Sequence, residues 1–422
     1  MNPRLVLFAK YILTLDRPQP LEDGFVMIQG NRIVQVGKRK DLYFLPSVRM
    51  LDLGDTILLP GLINAHCHLD FTALKGKVSY RGVFIDWLKR MGQGSRGTTP
   101  AGFRQSVARG IRESLTQGTT TICDIATSWE SWGLLRRSGM RSFVFVELFD
   151  LVEKNSKDYW ERFLDRLQEA VRTMPPTPLF RWGLSPHTPF TVSKELLRWV
   201  TRYLDSHRDL LTTIHVGESR EEARLFKSGK GPLAKTVERL NPSWVMPHNT
   251  TPTQYLNGFG WLPKLDLGVH LNAVNSRDMR LLAKNRITVV HCPGSHHFFK
   301  HLPFRYKELR RHRVSVCLGT DSLASNQSLS MFREMRLFQK ENPEVPAVEI
   351  LSMVTVKPAQ ALGMGGQLGQ IKPGFLGDLI GVPLRRSKGR RGDLAQQVID
   401  YRGPVSFSMI NGESKLRLSP DK

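Results

Sequence analysis

The sequence predicts an α/β protein: a (β/α)8 barrel of the TIM type, carrying a small composite β-sandwich formed by both chain termini. Three observations lead there. Eight apolar, β-branched runs recur through the middle of the chain, each ending in polar residues. Between them lie segments with apolar residues at helical spacing, such as AGFRQSVARGIRESLTQ and SKELLRWVTRYLDSHRD. Both chain ends read instead as short strands. Buried strands alternating with helices build a parallel sheet, and eight of them suit a closed barrel rather than an open sheet.

In chain order, residues 1–58 hold LVLFAKYILTL, GFVMIQGNRIVQVG and VRMLDLGDTILL, with Gly30 and Asn31 at the centre of a hairpin turn. The eight runs follow: ILLPGLINAHCH, TTTICDIATS, SFVFVELF, LFRWGLSPHT, LLTTIHVGES, LDLGVHLNAV, ITVVHCPGS and VSVCLGTDS. GQIKPGFLGDLIGVPL and PVSFSMINGES return to strand-like patterning near the other end. The predicted division is a barrel over 59–365 and a small β domain composed of 1–58 and 366–422.

Composition narrows the function classes. With 40% hydrophobic and 23% charged residues, the 422-residue chain has the make-up of a globular protein. No apolar run approaches the roughly 20 residues that span a bilayer. MNPRLVLFAKYILTL resembles a signal peptide only superficially, because Lys10 interrupts its apolar run and no small-x-small site follows. A cytoplasmic protein with no membrane partner is therefore expected. Cys67, Cys123, Cys292 and Cys317 are widely spaced within apolar runs, the pattern of reduced core residues. The net charge of +23 is compatible with a nucleic-acid partner, but the basic residues are scattered. RRSKGRRG, Arg385 to Gly392, is the main cluster and reads as an exposed loop. A solvated basic surface with no specific nucleic acid is expected; a non-catalytic basic binding protein is the competing reading from another class.

The stretch PGLINAHCHLD, Pro60 to Asp70, carries the chemistry. In a strand, side chains alternate faces, so His66 and His68 point one way and Cys67 the other. Two imidazoles one pleat apart can share a metal ion; alternatively they are buried histidines bonded to backbone. Functional groups of such barrels gather at the C-terminal strand ends. There the sequence places His66 and His68 on the first strand, His187 on the fourth and His215 on the fifth. His270 ends the sixth, His291 the seventh and Asp321 the eighth. Three imidazoles (His66, His68, His215) and the Asp321 carboxylate suit one borderline divalent cation, Zn²⁺ first, with Fe²⁺ or Mn²⁺ also accommodated. Such an ion lowers the pKa of a water, and Asp321 is placed to touch the metal and take the water's proton. Glu218, three residues after His215, reads as a proton shuttle or as a first-turn carboxylate favoured by a helix dipole.

These motifs resemble those of the amidohydrolase superfamily, in the branch of adenosine-type, guanine and triazine deaminases and chlorohydrolases. PGLINAHCHLD is similar to its first-strand metal motif, HVGES to its fifth-strand HxxE motif, and LGTDSLASNQSLSMFREMR to its eighth-strand Asp motif. SPHTPFTVS, VVHCPGSHHFF and KPAQALGMGGQLGQIKPGFLGDLIGV resemble further family stretches. The resemblance implies that His66, His68, His215 and Asp321 bind one divalent metal. It implies that Glu218 carries a proton to a substrate ring nitrogen and that His270 orients the attacking hydroxide. His187 and His291 would line the substrate pocket. Binuclear members use a bridging lysine at the end of strand four; here that end reads SPHT, which favours one metal.

The resemblance extends to the subgroup of aminodeoxyfutalosine deaminases of menaquinone synthesis and to S-adenosylhomocysteine and methylthioadenosine deaminases. The implied function is hydrolytic deamination of a 5′-modified adenosine, hydroxide attacking C6 with release of ammonia. A triazine- or guanine-type amino- or chlorohydrolase is the alternative within the family. Asp70 stands where many relatives have Glu, and Cys67 where many have Thr. In FIDWLKRMGQG, Phe84 or Trp87 either reaches the pocket or belongs to the core. Partners are then a small-molecule substrate and, as for many soluble enzymes, a second copy in a homodimer.

Overall fold

A computed structural model describes residues 4–43, 48–128, 130–151, 155–242, 244–245, 247–384 and 393–417. Arg385 to Gly392, the basic cluster, lies outside the described residues. Nine parallel strands form one curled sheet whose order follows the chain, except that the last strand pairs with the first. They are Leu62–His68, Thr119–Ala126, Arg141–Leu148, Phe180–Pro186, Leu211–Val216, Leu267–His270, Thr288–His291, Val316–Leu318 and Asp321–Ser322. Leu62–His68 is buried at every position, as strands of a parallel sheet covered on both faces must be. This curled parallel sheet with its surrounding helices is consistent with the TIM-type barrel.

The eighth predicted run is broken in two. Val316–Leu318 pairs with Thr288–His291, whereas Asp321–Ser322 pairs with Leu62–His68 in the register Asp321 to Cys67. Gly319 and Thr320 make the step, their N–H groups donating to the carbonyls of His291 and His66 at 2.9 Å each. A Cβ on Gly319 would sit 2.8 Å from the His66 carbonyl oxygen, so only glycine lets the strand pass there.

The helical segments follow the expected spacing. Pro100–Thr116 starts at Thr99, whose side chain accepts from the Gly102 N–H, with proline in the first turn. Lys194–Ser206 starts at Ser193, whose side chain accepts from the Leu196 N–H. Each buries its apolar stripe against the parallel sheet.

Strands from both chain ends share a second, eight-stranded sheet. Its order is Glu413–Arg417, Phe407–Ile410, Leu379–Pro383, Thr56–Pro60, Arg4–Ile12, Leu21–Gln29 and Arg32–Lys38, with Arg49–Asp52 also pairing Arg4–Ile12. The run ILLPGLINAHCH is therefore two strands in two sheets. Thr56–Pro60 pairs with Arg4–Ile12 and Leu379–Pro383, and the chain crosses to the parallel sheet at Gly61. Thr120 leaves no room for a side chain on Gly61. The GQIKPGF stretch forms turns in place of a strand. Arg141 and Asp378 tie the sheets together through a fully buried two-pronged ion pair, with both N–O distances 2.9 Å.

Candidate metal centre and active site

His66 and His68 point to one side of their strand. Cys67 points to the other, where its Sγ lies 3.5 Å from the Cys123 carbonyl. His66 is fully buried, and neither of its ring nitrogens has a hydrogen-bond partner. Buried polar atoms are almost always satisfied, so two orphaned nitrogens on one ring call for a partner the chain does not supply.

The other expected ligands converge on that ring. The His66–His68 and His66–His215 ring centroids are each 4.9 Å apart. Nε2 of His68 faces Nε2 of His215 at 3.2 Å. Nδ1 of His215 lies 2.9 Å from the His187 carbonyl, which can only accept. Nδ1 therefore carries the hydrogen and Nε2 presents a lone pair, the tautomer a metal ligand requires. Oδ1 of Asp321 is 3.8 Å from Nε2 of both His66 and His68. Its other oxygen accepts from the hydroxyls of Ser295 at 2.6 Å and Ser325 at 3.0 Å. Donor atoms of His66, His68 and Asp321 lie within 4.8 Å of one another, as do those of His66, His215 and His270, and such buried nitrogen and oxygen donors fit a divalent cation.

Burial pulls His68 and His270 down to about 3 and His187 to about 4. Burial pushes Asp321 upward, but the facing imidazoles outweigh it and hold the carboxyl well below its usual range. Glu218 behaves in the opposite way: burial, then the charges of Asp321 and Glu222, push it well above the carboxylate range. Two nearby carboxyls with divergent proton affinities are the signature of an acid and a base. Oε1 of Glu218 lies 3.6 Å from Nε2 of His270.

His270 and Asp321 have positive φ, at 72° and 57°, as does Leu271 at 49°. Such strain in non-glycine residues collects at functional sites, where surrounding contacts hold it.

A cavity of about 380 Å³ opens above these groups, its lining including His68, His187, His215, Glu218, His270 and Asp321. Trp87 is in its wall, with Leu88 and Met91. Phe84 is not: it packs against Trp87 and Phe299 in an aromatic cluster behind the wall. His291, expected at the pocket, is not part of the lining either. Its ring stacks on Phe304 with centroids 3.8 Å apart. The seventh strand turns directly into the helix Pro293–Phe298, leaving His291 beneath rather than in the mouth.

Sequence reasoning missed Glu147, the next-to-last residue of the third strand, which lines the cavity beside His187 and His215. Burial raises it to about 7. Its signal was present, as the single acidic residue closing the apolar run SFVFVELF. Asp70 has a supporting place: its carboxylate accepts from Thr127 N–H at 3.0 Å and from Ser128 N–H and hydroxyl at 2.8 Å each, fixing the loop after the second strand.

Comparison with known proteins agrees with this geometry. The Amidohydrolase family matches residues 57–414. A 5-methylthioadenosine/S-adenosylhomocysteine deaminase of Pyrococcus furiosus is 31% identical over 400 residues, covering 92% of this chain and 89% of the relative. An adenosine deaminase from Xanthomonas campestris, solved with bound zinc, superposes with a TM-score of 0.85 at 25% identity, over 98% of this chain and 93% of that one. The aminofutalosine deaminase of Helicobacter pylori, solved with methylthio-coformycin, shares the fold with a TM-score of 0.85 at 21% identity, over 97% and 100% of the two chains. The matched stretch runs from Thr56–Pro60 of the terminal sheet, through the whole parallel sheet, into the last strand Glu413–Arg417, and the chain belongs to the amidohydrolase family.

Proposed function

We propose that this protein is a metal-dependent hydrolytic deaminase of a 6-aminopurine nucleoside modified at its 5′ position. The observation that carries the reading is the meeting of a histidine cluster with the carboxyls of Asp321 and Glu218 at one wall of a single cavity of about 380 Å³. Deaminase names among the relatives support it, as does the zinc-bound neighbour.

His66, His68, His215 and Asp321 are the proposed ligands of one divalent cation. Zn²⁺ best suits three nitrogens and one oxygen, and the absence of lysine from SPHT favours a single ion. When bound, such an ion supplies Lewis acidity that brings the pKa of a water towards neutrality. The chain's residues supply the rest. Asp321 takes the proton from the water as its oxygen bonds to C6. Glu218, protonated at rest because it is buried, gives its proton to ring nitrogen N1. His270 orients the water and faces the Glu218 carboxyl. Asp321 passes its proton to the amino group, the C6–N bond breaks as the C6 hydroxyl returns a proton to Glu218, and ammonia leaves behind a 6-oxopurine nucleoside. Trp87 and His187 line the space for the substrate.

Residues 1–58 and 366–422 are proposed as one small β domain beside a barrel at 59–365. The shared terminal sheet supports this, and the pairing of Thr56–Pro60 supports moving the crossing to Gly61. Two apolar clusters, one around Leu7, Val26 and Leu58 and the other around Val6, Phe8 and Phe25, support a sandwich-like curl. No helix among the described residues is long and apolar enough to cross a membrane. Cytoplasmic placement, a homodimer and indifference to nucleic acid complete the reading.

The test is turnover by the metal-loaded protein, followed by the ultraviolet change from 6-aminopurine to hypoxanthine and by ammonia release. Aminodeoxyfutalosine, S-adenosylhomocysteine, methylthioadenosine, adenosine and guanine form the panel. One 5′-modified adenosine well above the others is the expected result. Silence on every adenosine with metal confirmed would discard the reading in favour of a guanine- or triazine-type hydrolase or a non-catalytic protein.

A further inference from the structure

Glu218 is gripped by its backbone on both sides. Its N–H donates to Oε2 of Glu222 at 2.8 Å, while the Gly217 N–H donates to Oε1 at 3.0 Å. Its carbonyl accepts from Nδ2 of Asn272 at 3.0 Å. Asn272 stands two residues beyond His270. The end of one strand thus supplies both the imidazole facing the Glu218 carboxyl and the amide holding the Glu218 backbone.

Asn272 is held in turn. Its Oδ1 lies 3.0 Å from Nδ1 of His296, a buried residue in the helix Pro293–Phe298 that does not line the cavity. The direction of each bond is forced. A carbonyl only accepts, so the amide nitrogen of Asn272 must face Glu218. The amide oxygen also only accepts, so this contact is a hydrogen bond when Nδ1 of His296 carries the hydrogen. That N–H locks the amide: a flipped Asn272 would set its NH₂ against the histidine donor and its oxygen against the Glu218 carbonyl.

Resting on the deaminase reading above, we propose that His296 is a positioning residue, acting through Asn272 to fix Glu218 at the distance its proton transfer requires. Proton transfer depends steeply on geometry, and a displaced donor loses rate without losing substrate affinity. His296 does not line the cavity, and its hydrogen-bonded link to Glu218 runs through Asn272.

The experiment measures kcat, KM, metal content and melting temperature for His296→Ala, His296→Asn and His296→Gln, each with Glu218 intact and with Glu218→Gln. His296→Ala is expected to lower kcat about tenfold, the scale of one neutral hydrogen bond, with KM and metal content unchanged. Asparagine, whose amide reaches the place of Nδ1, restores most of the rate; glutamine, which reaches the place of Nε2, does not. With Glu218→Gln, His296→Ala costs nothing further. An unchanged kcat in His296→Ala, equal losses in the asparagine and alanine variants, or a fully additive loss with Glu218→Gln would each overturn the proposal. A wild-type protein that deaminates no nucleoside defeats the deaminase reading instead. The lock itself is then judged by ¹⁵N spectra of histidine-labelled protein, with the His296 signal identified by its loss in His296→Gln. A hydrogen on Nδ1 upholds the lock, and a hydrogen on Nε2 overturns it.

Discussion

At the scale of single residues, His66 and Glu218 have distinct tasks that substitution can separate. His66 has two buried nitrogens without partners in the chain, and the proposed metal would take one of them. His66→Ala should leave a protein with little bound metal after dialysis, as read by elemental analysis; full occupancy would remove His66 from the ligand set. Glu218 is pushed well above the usual carboxylate range, and its proposed contribution is to proton transfer rather than to metal binding. Glu218→Gln preserves size and hydrogen bonding while abolishing proton transfer. Turnover should fall by roughly 10²–10⁴-fold with metal content intact, the usual contribution of a general acid or base. Undiminished turnover would place the proton transfer elsewhere.

At the scale of elements, the break in the eighth strand brings Asp321 beside the first strand, and Gly319 makes the passage possible. Gly319→Ala would force a methyl group against the His66 carbonyl, Cβ and nitrogen, all within 3.0 Å. Overpacking of this kind costs about 1–3 kcal/mol, and here it also displaces His66, a proposed ligand. The expected outcome is a lower urea midpoint together with weaker metal binding; wild-type values for both would show that the strands can spread without consequence. The Arg141–Asp378 pair works between elements rather than within one. Asp378 also accepts the Asn411 N–H at 2.8 Å, so one carboxylate joins a strand of the parallel sheet to the terminal hairpin. Arg141→Met would strand that carboxylate without its cation. A loss of about 3–5 kcal/mol in urea unfolding is expected, the size seen when one partner of a buried pair is removed.

For the whole molecule, stability and pH are linked through two buried sets of opposite sign. Burial lowers His296 to about 4 and His301 to about 3, against 6.5 in the unfolded chain. Their contribution is complete above pH 6.5 and is lost as pH falls through that range, because the unfolded chain takes up protons first. Burial raises Glu222 and Glu334 to about 7, against 4.5 unfolded. Their contribution is complete below pH 4.5 and is lost as pH rises through 7. Outside pH 4.5–6.5 only one set has a slope, and each slopes downward away from that window. The urea midpoint of metal-free protein should therefore peak within it; a midpoint still climbing above pH 7 would show that the buried carboxyls ionise without penalty. Net charge of +23 adds self-repulsion at every pH in this range and sets solubility rather than fold.

Much of this was legible in the chain itself, for physical reasons that can be named. Strands covered on both faces must be apolar throughout, so the runs that become the parallel sheet stand out by composition alone. Alternation of side chains placed His66 and His68 together and turned Cys67 away before any coordinates. What the sequence could not decide depends on contacts between distant residues. The division of ILLPGLINAHCH between two sheets at Gly61 was set by pairing with Leu379–Pro383, more than three hundred residues further on. His291 and His270 look alike as histidines ending strands, yet one stacks beneath the site on Phe304 and the other faces Glu218. Glu147 became part of the pocket only once its strand end was set beside His187 and His215. Local patterning determines which residues can be buried and which face they take; the closing of the sheet determines which of them meet.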